Sequence, residues 1–184
     1  MNHLGTVRLI TEKLILRQFN KADAEAMFKN FYSDSEVMRF LPWETHMSVS
    51  ETGTHLAGYI TNYANLDYYA WAIVPRESKS PIGFIDAVID KTINAVKVDY
   101  GIGKPWWHKG YMSDALAVLI SFAFEEIKVN RIYATHDPRN PNSGKVMEKC
   151  GMIYEGTLRQ ARYRKGEYSD RAMYAILADD YFVK

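Results

Sequence analysis

The spacing of apolar residues predicts two helices after a short N-terminal strand. The alternating segment KLILR, residues 13–17, is typical of a strand, and ADAEAMFKNFY, preceded by the capping residue Asn20, is typical of a helix. Ser48 and Glu51 have the spacing of a capping box, and apolar residues follow them at helical intervals. We therefore predict a second helix over about residues 48–62.

The sequence that follows indicates a sheet. YYAWAIV, PIGFIDAVID and VKVDYGIG are apolar or alternating and are separated by turn-rich segments, which predicts a three-strand antiparallel meander. An apolar helical face then spans residues 116–127, RIYATH predicts a strand, and NPNS begins a helix that ends at Gly151. The remaining residues predict two strands around a Lys165-Gly166 turn. This order predicts a mixed α+β fold in a single domain of residues 1–184, with helices on the faces of the sheet.

Composition and charge exclude several classes of function. The 184 residues are 47% hydrophobic and 24% charged, which is ordinary for a globular protein. A formal net charge of +1 gives no general attraction to nucleic acid or to an anionic membrane, and the longest apolar run, ALAVLISFAF, is too short to span a bilayer. Because Cys150 is the single cysteine and the N-terminal segment lacks a secretory signal, we expect a cytoplasmic protein. The five histidines lack paired ligand spacing, so no metal site is predicted.

The stretch PWWHKGYMSDA, residues 105–115, predicts an anion-binding turn. The preceding GIGKPW has a tryptophan where a dinucleotide-binding loop needs its third glycine, and no P-loop spacing follows. The pattern indicates instead a strand that ends at Ile102, a bend, and a helix that begins near Gly110. The free N–H groups at such a helix start attract anions, especially phosphates, and Gly110 has no Cβ to keep a ligand away from the backbone.

Three segments resemble the GNAT family of acetyltransferases. PWWHKGYMSDAL is similar to motif A of that family, Q/R-x-x-G-x-G/A, whose backbone amides hold the pyrophosphate of acetyl-CoA. NPNSGKVMEKCGM, residues 140–152, is similar to N-x-x-S-x-x-x-x-E-K-x-G-F, and TEKLILRQFNKADAEAMF resembles the start of the ribosomal-protein, Rim-like branch. The resemblance covers nearly the whole chain. It implies a twisted, mostly antiparallel central sheet of about seven strands with helices on both faces, and acetyl-CoA as the cosubstrate.

The resemblance also implies which residues hold acetyl-CoA. The backbone of Tyr100, Gly101 and Ile102 corresponds to the strand that pairs with pantetheine. Asn140 corresponds to a residue that contacts the cofactor arm or the acetyl region. The implied cofactor-binding turn consists of Trp107, His108, Lys109, Gly110, Tyr111, Met112 and Ser113.

Catalysis requires a neutral amine, a polarised thioester carbonyl and a proton for the departing sulfur. A backbone N–H on the strand 100–102 is a candidate donor to the developing oxyanion. Ser143 matches a hydroxyl that protonates the leaving thiolate in relatives, although a serine there suits a helix N-cap equally well. Asp99 is a candidate base, acting directly or through water, and strand alternation places it on the face opposite Tyr100.

Other side chains are interpreted structurally first. Asp114, in the first turn of its helix, is expected to stabilise that helix, and Cys150 is expected to be a buried apolar residue rather than a nucleophile. The basic hairpin RQARYRKGEYSDR is either a solvated turn or a binding site for an acidic peptide, a CoA phosphate or ribosomal RNA. Leu41-Pro42-Trp43 is a candidate substrate loop, whereas the aromatic residues of the strands are expected mainly in the core. The hairpin's basic residues are Arg159, Arg162, Arg164, Lys165 and Arg171.

These observations lead to one main hypothesis and three alternatives. The main hypothesis is an N-acetyltransferase that acts on a primary amine, with a protein N-terminal amine as one acceptor. The first alternative is an acetyltransferase for a small-molecule amine, such as a polyamine, an amino acid or an aminoglycoside. The second is a catalytically weak acyl-CoA-binding module, since Trp107, His108 and Met112 depart from motif A and no base is obvious. The third is a nucleic-acid-binding protein that uses the basic hairpin, which the near-neutral net charge disfavours. A homodimer is expected, whereas a membrane partner is not.

Overall fold

A computed structural model describes residues 1–183, which form one mixed sheet of eight strands. The strands are β1 (Leu9–Ile10), β2 (Leu14–Arg17), β3 (Tyr69–Pro75), β4 (Gly83–Asp90), β5 (Ala95–Ile102), β6 (Arg131–His136), β7 (Ile153–Arg164) and β8 (Glu167–Leu177). Their order is β1-β2-β3-β4-β5-β6-β8-β7. All neighbouring pairs are antiparallel except β5 and β6, which are parallel. The predicted mixed sheet, and the antiparallel meander within it, are confirmed.

Six α-helices pack on this sheet within the described residues. The second half of the N-terminal helix is a π-helical turn, Phe28–Tyr32, and another π-helical turn, Ala123–Ile127, extends the central helix. None of the helices in residues 1–183 has the length and apolar character needed to cross a membrane. The helices are α1 (Asp23–Met27), α2 (Ser35–Met38), α3 (Val49–Asn62), α4 (Tyr111–Phe122), α5 (Pro141–Lys149) and α6 (Ala178–Phe182).

The sheet separates two hydrophobic clusters, and strand β3 contributes to both. All seven residues of β3 are buried. Trp71 and Ile73 pack into the cluster that contains α4 and α5, whereas Ala72 and Val74 pack into the cluster that contains α1 and α3. A strand covered on both faces is continuously apolar, which explains the run YYAWAIV. Helices therefore lie on both faces, as predicted.

The helix boundaries follow their sequence signals. Ser48 caps α3, because its Oγ accepts a hydrogen bond from the Glu51 N–H at 3.1 Å, and the Glu51 carboxylate accepts one from the Met47 N–H at 2.8 Å. Gly110 precedes α4 with a φ of 81°, and Gly151 follows α5 with a φ of 83°. A Cβ on Gly110 would meet nothing within 4 Å, so its left-handed backbone, rather than lack of space, favours glycine there.

Three short elements were not predicted. Strand β1 has only two residues, and it raises the strand number from about seven to eight. Helix α2 begins after Asp34, whose carboxylate accepts from the Glu36 N–H at 2.9 Å. The final strand was expected to continue towards the C-terminus, and this is wrong. It ends at Leu177, whose N–H donates to Asp180 at 3.0 Å as α6 begins.

Candidate active site

The sheet opens where its two parallel strands separate. β5 and β6 pair from Ala95↔Arg131 to Val98↔Ala134, whereas β5 remains paired with β4 as far as Ile102. We call the gap beyond Val98 and Ala134 the opening. A cleft of about 600 Å³ occupies it. All predicted site residues except Lys109 and Tyr111 line this cleft, namely Asp99, Tyr100, Gly101, Ile102, Trp107, His108, Gly110, Met112, Ser113, Asn140 and Ser143.

The edge of β5 presents the backbone of alternate residues to the opening. The Gly103 N–H donates to the Ile82 carbonyl, just before β4, at 2.9 Å, so the backbone of Gly103 faces β4. Along an antiparallel strand, the backbone groups of successive residues point to opposite sides. The backbone of Gly101 therefore faces β4, whereas the backbones of Tyr100 and Ile102 face the opening. The Ile102 carbonyl accepts from the Trp107 indole N–H at 2.8 Å. The groups that face a ligand are thus the N–H groups of Tyr100 and Ile102 and the Tyr100 carbonyl.

The turn after β5 contains several consecutive backbone N–H groups for which residues 1–183 provide no acceptor. A 3₁₀ turn, Lys104–Trp106, leads to His108 and Gly110, whose φ angles are 60° and 81°. Helix α4 has no side-chain cap, and its first N–H group with an acceptor in the described chain is that of Asp114, which donates to the Gly110 carbonyl at 3.0 Å. The N–H groups of residues 108–113 have the arrangement that binds phosphate at helix starts.

The bulky side chains of this turn are accommodated by packing. Trp107 packs against the cluster beneath α1 and α3, and Met112 is buried in the cluster beneath α4. His108 is exposed, as is Lys109, and Tyr111 packs at the edge of the core. Trp107, His108 and Met112 line the cleft, but within residues 1–183 no side chain accepts a hydrogen bond from the backbone N–H groups of the turn, so the backbone carries the anion-binding geometry.

Ser143 lies inside helix α5 and is not its cap. The helix begins at Pro141 with Asn140 at the cap position, so the helix-cap interpretation of Ser143 is wrong. The Ser143 hydroxyl donates to the Tyr100 hydroxyl at 3.1 Å, and that hydroxyl donates to the Ser143 carbonyl at 2.9 Å. Burial raises the pKa of the Tyr100 phenol, which keeps this pair of hydroxyls neutral. Asn140 makes no side-chain capping bond and lines the cleft.

Two carboxyl groups face each other across β4 and β5. Asp99 lies directly opposite Asp86, and both line the cleft. The Asp99 carboxylate accepts from Lys97 at 2.5 Å, whereas Oδ1 of Asp86 is buried without a hydrogen-bond partner in residues 1–183. Burial, and to a lesser extent the charge of Asp99, raises the pKa of Asp86 to about 7. A carboxyl group that titrates near neutrality is suited to accept a proton.

Sequence reasoning identified Asp99 but missed Asp86. The signal was a single acid within the otherwise apolar start of GFIDAVID, since strand alternation groups the Asp86 side chain with Phe84 on one face of β4. Phe84 belongs to the cluster beneath α1 and α3 and lines the cleft. Recognising the pair required the register of β4 on β5, which the sequence does not specify.

One wall of the cleft lies on the side of the sheet that α1 and α3 cover. Two segments from distant parts of the chain form this wall. One is the loop 39–43, which includes the candidate substrate loop Leu41-Pro42-Trp43, and the other is the β7–β8 hairpin with Arg162 and Arg171. We call these two segments the acceptor wall. They are joined where Arg164 donates to the Phe40 carbonyl at 2.8 Å. The strand aromatics Tyr69 and Trp71, in contrast, are buried in the core.

Asp114 and Cys150 occupy structural positions. The Asp114 carboxylate, in the first turn of α4, accepts from the Thr11 hydroxyl at 2.5 Å and so ties the helix to the N-terminal segment. The Cys150 thiol donates to the Ser113 carbonyl at 3.3 Å, and burial raises its pKa to about 11. A thiol with a raised pKa is a weak nucleophile at neutral pH.

The opening between β5 and β6 and the uncapped start of α4 beside it form a site suited to an extended ligand that carries an anionic group. The family model described as an acetyltransferase (GNAT) domain matches residues 13–153, and the chain belongs to this family. It is an acetyl-CoA-dependent N-acetyltransferase.

The chain aligns with individual relatives of this class over almost their full length. The chain is 32% identical over 171 residues to the N-acetyltransferase YoaA of Bacillus subtilis (strain 168), covering 92% of this chain and 96% of the relative. It is 25% identical over 188 residues to the alanine N-acetyltransferase of ribosomal protein uS5 from Escherichia coli (strain K12), covering 98% and 95%. Among solved structures, a GNAT acetyltransferase from Bacillus anthracis superimposes with a TM-score of 0.83 at 26% identity, covering 94% of this chain and 99% of that one.

Proposed function

We propose that this chain, as a single catalytic domain, transfers the acetyl group of acetyl-CoA directly to a primary amine without an acyl-enzyme intermediate. The observation that carries the proposal is the opening between β5 and β6. Towards α4 it has backbone N–H groups without acceptors, which suit the anionic part of a nucleotide cosubstrate. Towards α1 and α3 it has the Asp86 and Asp99 carboxyl groups, which suit an amine.

The residues around the opening fit acetyl-CoA, which supplies the activated acyl group as a thioester. The N–H groups of residues 108–113 hold the pyrophosphate, and the backbone of Tyr100 and Ile102 pairs with the pantetheine arm. One of these two strand N–H groups donates to the thioester oxygen and stabilises the negative charge that develops there. Asn140, whose side chain is free of capping bonds, contacts the arm near the acetyl group.

Side chains around the opening accept and donate the protons that the reaction moves. The Asp86 and Asp99 pair accepts one proton from the ammonium form of the acceptor, directly or through water. The neutral nitrogen attacks the thioester carbon, the C–S bond breaks, and Ser143 donates its proton to the departing sulfur. The second proton released by the nitrogen returns, through water, to Ser143. Since Ser143 is bonded to the Tyr100 hydroxyl, its position is fixed relative to the strand that holds the thioester.

The first candidate acceptor is the N-terminal amine of a protein. Its support is the 25% identity, over almost the whole chain, to the enzyme that acts on the alanine of ribosomal protein uS5. The second candidate is a small-molecule amine, and its support is the acceptor wall, where aromatic residues and arginines from two segments enclose one side of a cleft of about 600 Å³.

An acceptor screen tests the proposal. The protein is incubated with acetyl-CoA and ribosomal-protein N-terminal peptides, polyamines, amino acids or aminoglycosides, and release of the CoA thiol is followed. We expect steady release with an N-terminal peptide, whereas release with small amines alone would favour the second candidate. Tight CoA binding without turnover on any amine would contradict the proposal and favour an acyl-CoA-binding module.

The carboxyl pair is tested by replacing each member with asparagine. We expect Asp86→Asn and Asp99→Asn each to lower kcat/KM by about a hundredfold, the usual contribution of a positioned base. In the wild type, kcat/KM should fall below about pH 7 as Asp86 is protonated. Asp90→Asn, at the far end of β4 and outside the cleft, is the matched control. Near-normal turnover of Asp99→Asn at every pH would eliminate Asp99 as the base.

A further inference from the structure

Three arginines of the β7–β8 hairpin lie at the acceptor wall without an acidic partner. Arg162 and Arg171 line the cleft. Arg164 contacts the Phe40 carbonyl, and its other terminal nitrogen, Nη1, is buried without a hydrogen-bond partner in the described chain. None of the three forms a salt bridge with an aspartate or glutamate of residues 1–183. The part of the chain that the structure describes therefore provides no salt bridge for this cluster.

Three carboxylates near this cluster are paired with other basic residues. Asp86, which lies opposite Asp99 and has no basic partner in residues 1–183, also forms no salt bridge with the three arginines. The three pairs are Asp99 with Lys97 at 2.5 Å, Asp137 with Arg139 at 2.7 Å, and Glu44 with Lys165 at 3.4 Å.

Arg171 is held in a fixed position within the cleft. It is 8% exposed, and its guanidinium donates to the Thr135 carbonyl at 3.0 Å and to the Thr135 hydroxyl at 3.3 Å. Burial and the charge of Arg162 lower the pKa of Arg171, and the charges of Asp99 and Asp137 offset this lowering only in part. A buried guanidinium beside other cations is unfavourable unless an anion completes its surroundings. The guanidinium of Arg171 is therefore held in place by Thr135 and has no salt-bridge partner in residues 1–183.

We infer that Arg162 and Arg171 bind an oxyanion, a carboxylate or a phosphate, that the amine acceptor carries. This inference rests on the proposed function, in which the Asp86 and Asp99 pair receives the amine of the same molecule. Guanidinium groups form paired hydrogen bonds with both kinds of oxyanion. The acceptor is then held at two points of opposite charge, and Trp43 of the acceptor wall contacts its apolar part.

The phosphates of acetyl-CoA are a poorer match for this site. The N–H groups that suit them, those of residues 108–113, lie at the start of α4, which packs on one face of the sheet. Arg171 faces the other side, together with Thr135 and Asp99, since Ala134 and His136 alternate with Thr135 and point towards α4 and α5. The oxyanion therefore belongs on the acceptor side.

The test uses pairs of acceptors that differ only in the anionic group. The pairs are an Ala-Glu peptide and its Ala-Gln counterpart, alanine and alaninamide, and phosphoethanolamine and ethanolamine. For the pair that matches the natural acceptor, we expect kcat/KM to be about tenfold or more higher for the anionic member, the value of one charge-assisted contact. The pair with the largest ratio identifies whether a peptide side chain, a small-molecule carboxylate or a phosphate is the source.

Substitutions of the arginines test whether they cause the preference for anionic acceptors. Arg162→Gln should bring the ratio close to one, and Arg162→Lys should retain part of it because the charge remains. Arg159→Gln is the matched control, since Arg159 is exposed on the same strand and does not line the cleft, and it should leave the ratio unchanged. Arg171→Gln is judged only together with its thermal unfolding, because Arg171 is buried.

The outcomes separate this inference from the proposed function. Turnover with equal kcat/KM in every pair contradicts the inference and leaves the proposed function intact. A higher KM for acetyl-CoA in Arg162→Gln, with an unchanged acceptor ratio, also contradicts the inference, because it assigns the arginines to the cosubstrate. If no amine turns over, tryptophan fluorescence titration of the protein with CoA and each pair decides the point. Preferential binding of anionic members then supports the inference alone, and equal binding contradicts it.

Discussion

Replacement of Asp86 by asparagine tests the charge state of this carboxyl group without any knowledge of the acceptor. Asp86 faces Asp99 across the β4–β5 ladder, and its Oδ1 is buried without a hydrogen-bond partner in residues 1–183. Burial, and secondarily the charge of Asp99, raises its pKa from an ordinary 3.8 to about 7. Asparagine has nearly the same shape but does not ionise, so the variant removes the titration and keeps most of the packing.

The size of the effect follows from linkage between protonation and folding. Because the pKa of Asp86 is higher in the folded than in the unfolded chain, the protonated group contributes stability below pH 3.8, and this contribution is lost as the pH rises through about 7. The full loss corresponds to about 4 kcal/mol, since one pKa unit is worth about 1.4 kcal/mol. Of this stabilisation, about 2–3 kcal/mol is lost as the pH rises from about 5 to about 9.

Urea unfolding of the wild type and of Asp86→Asn across this pH range measures the effect. The other ionisable groups are common to both proteins, so we expect the variant to gain about 2–3 kcal/mol over the wild type between about pH 5 and about pH 9. Asp90→Asn should show a flat difference, since hydrogen bonds from Thr92 lower the pKa of Asp90 and move its titration to more acidic pH. A constant difference between wild type and Asp86→Asn at every pH would refute the reasoning.

Three further predictions concern Gly101, the thiol of Cys150 and the carboxylate of Asp114. Gly101→Ala should lower the free energy of unfolding by about 1–3 kcal/mol, because its Cβ would lie 2.9 Å from two phenylalanine rings, whereas Gly58→Ala, with nothing within 4 Å, should raise it by about 1 kcal/mol. At about pH 8, Cys150 in the folded protein should be alkylated about a hundredfold more slowly than in urea, and equal rates would contradict its raised pKa. Asp114→Asn should lower stability by about 1 kcal/mol and leave kcat within about twofold of the wild-type value; a large loss of kcat would give Asp114 a role in transfer.

The central elements of the fold could be predicted because their signals are local. The Ser48 and Glu51 pair marks the start of α3 within four residues, and the apolar face over residues 116–127 marks α4 and its extension. Strand β1 and helix α6 gave no such signal. Long-range contacts fix them instead, such as the hydrogen bond from the Trp71 indole to the Val7 carbonyl at 2.6 Å, which holds the segment before β1.

The two sides of the cleft also differ in how far the sequence predicts them, because one is formed by a local segment and the other by long-range contacts. The turn that precedes α4 is a continuous segment, so its anion-binding character could be read from residues 105–115. The acceptor side combines Asp86 with Asp99, which needs the strand register, and Arg164 with Phe40, which are 124 residues apart. No short pattern specifies such pairs. The homodimer and the single domain remain predictions.

The contact between the β7–β8 hairpin and the loop 39–43 has an evolutionary consequence. Arg164 and Lys165 reach main-chain carbonyls, those of Phe40 and Met38, so the side chains of the loop can change without breaking the junction. The family model matches residues 13–153 and stops before most of the hairpin. We expect homologues that diverged to modify other molecules to keep the chain around the opening and to differ in these two segments. The proposed acceptor site can thus change during evolution while the groups around the opening stay the same.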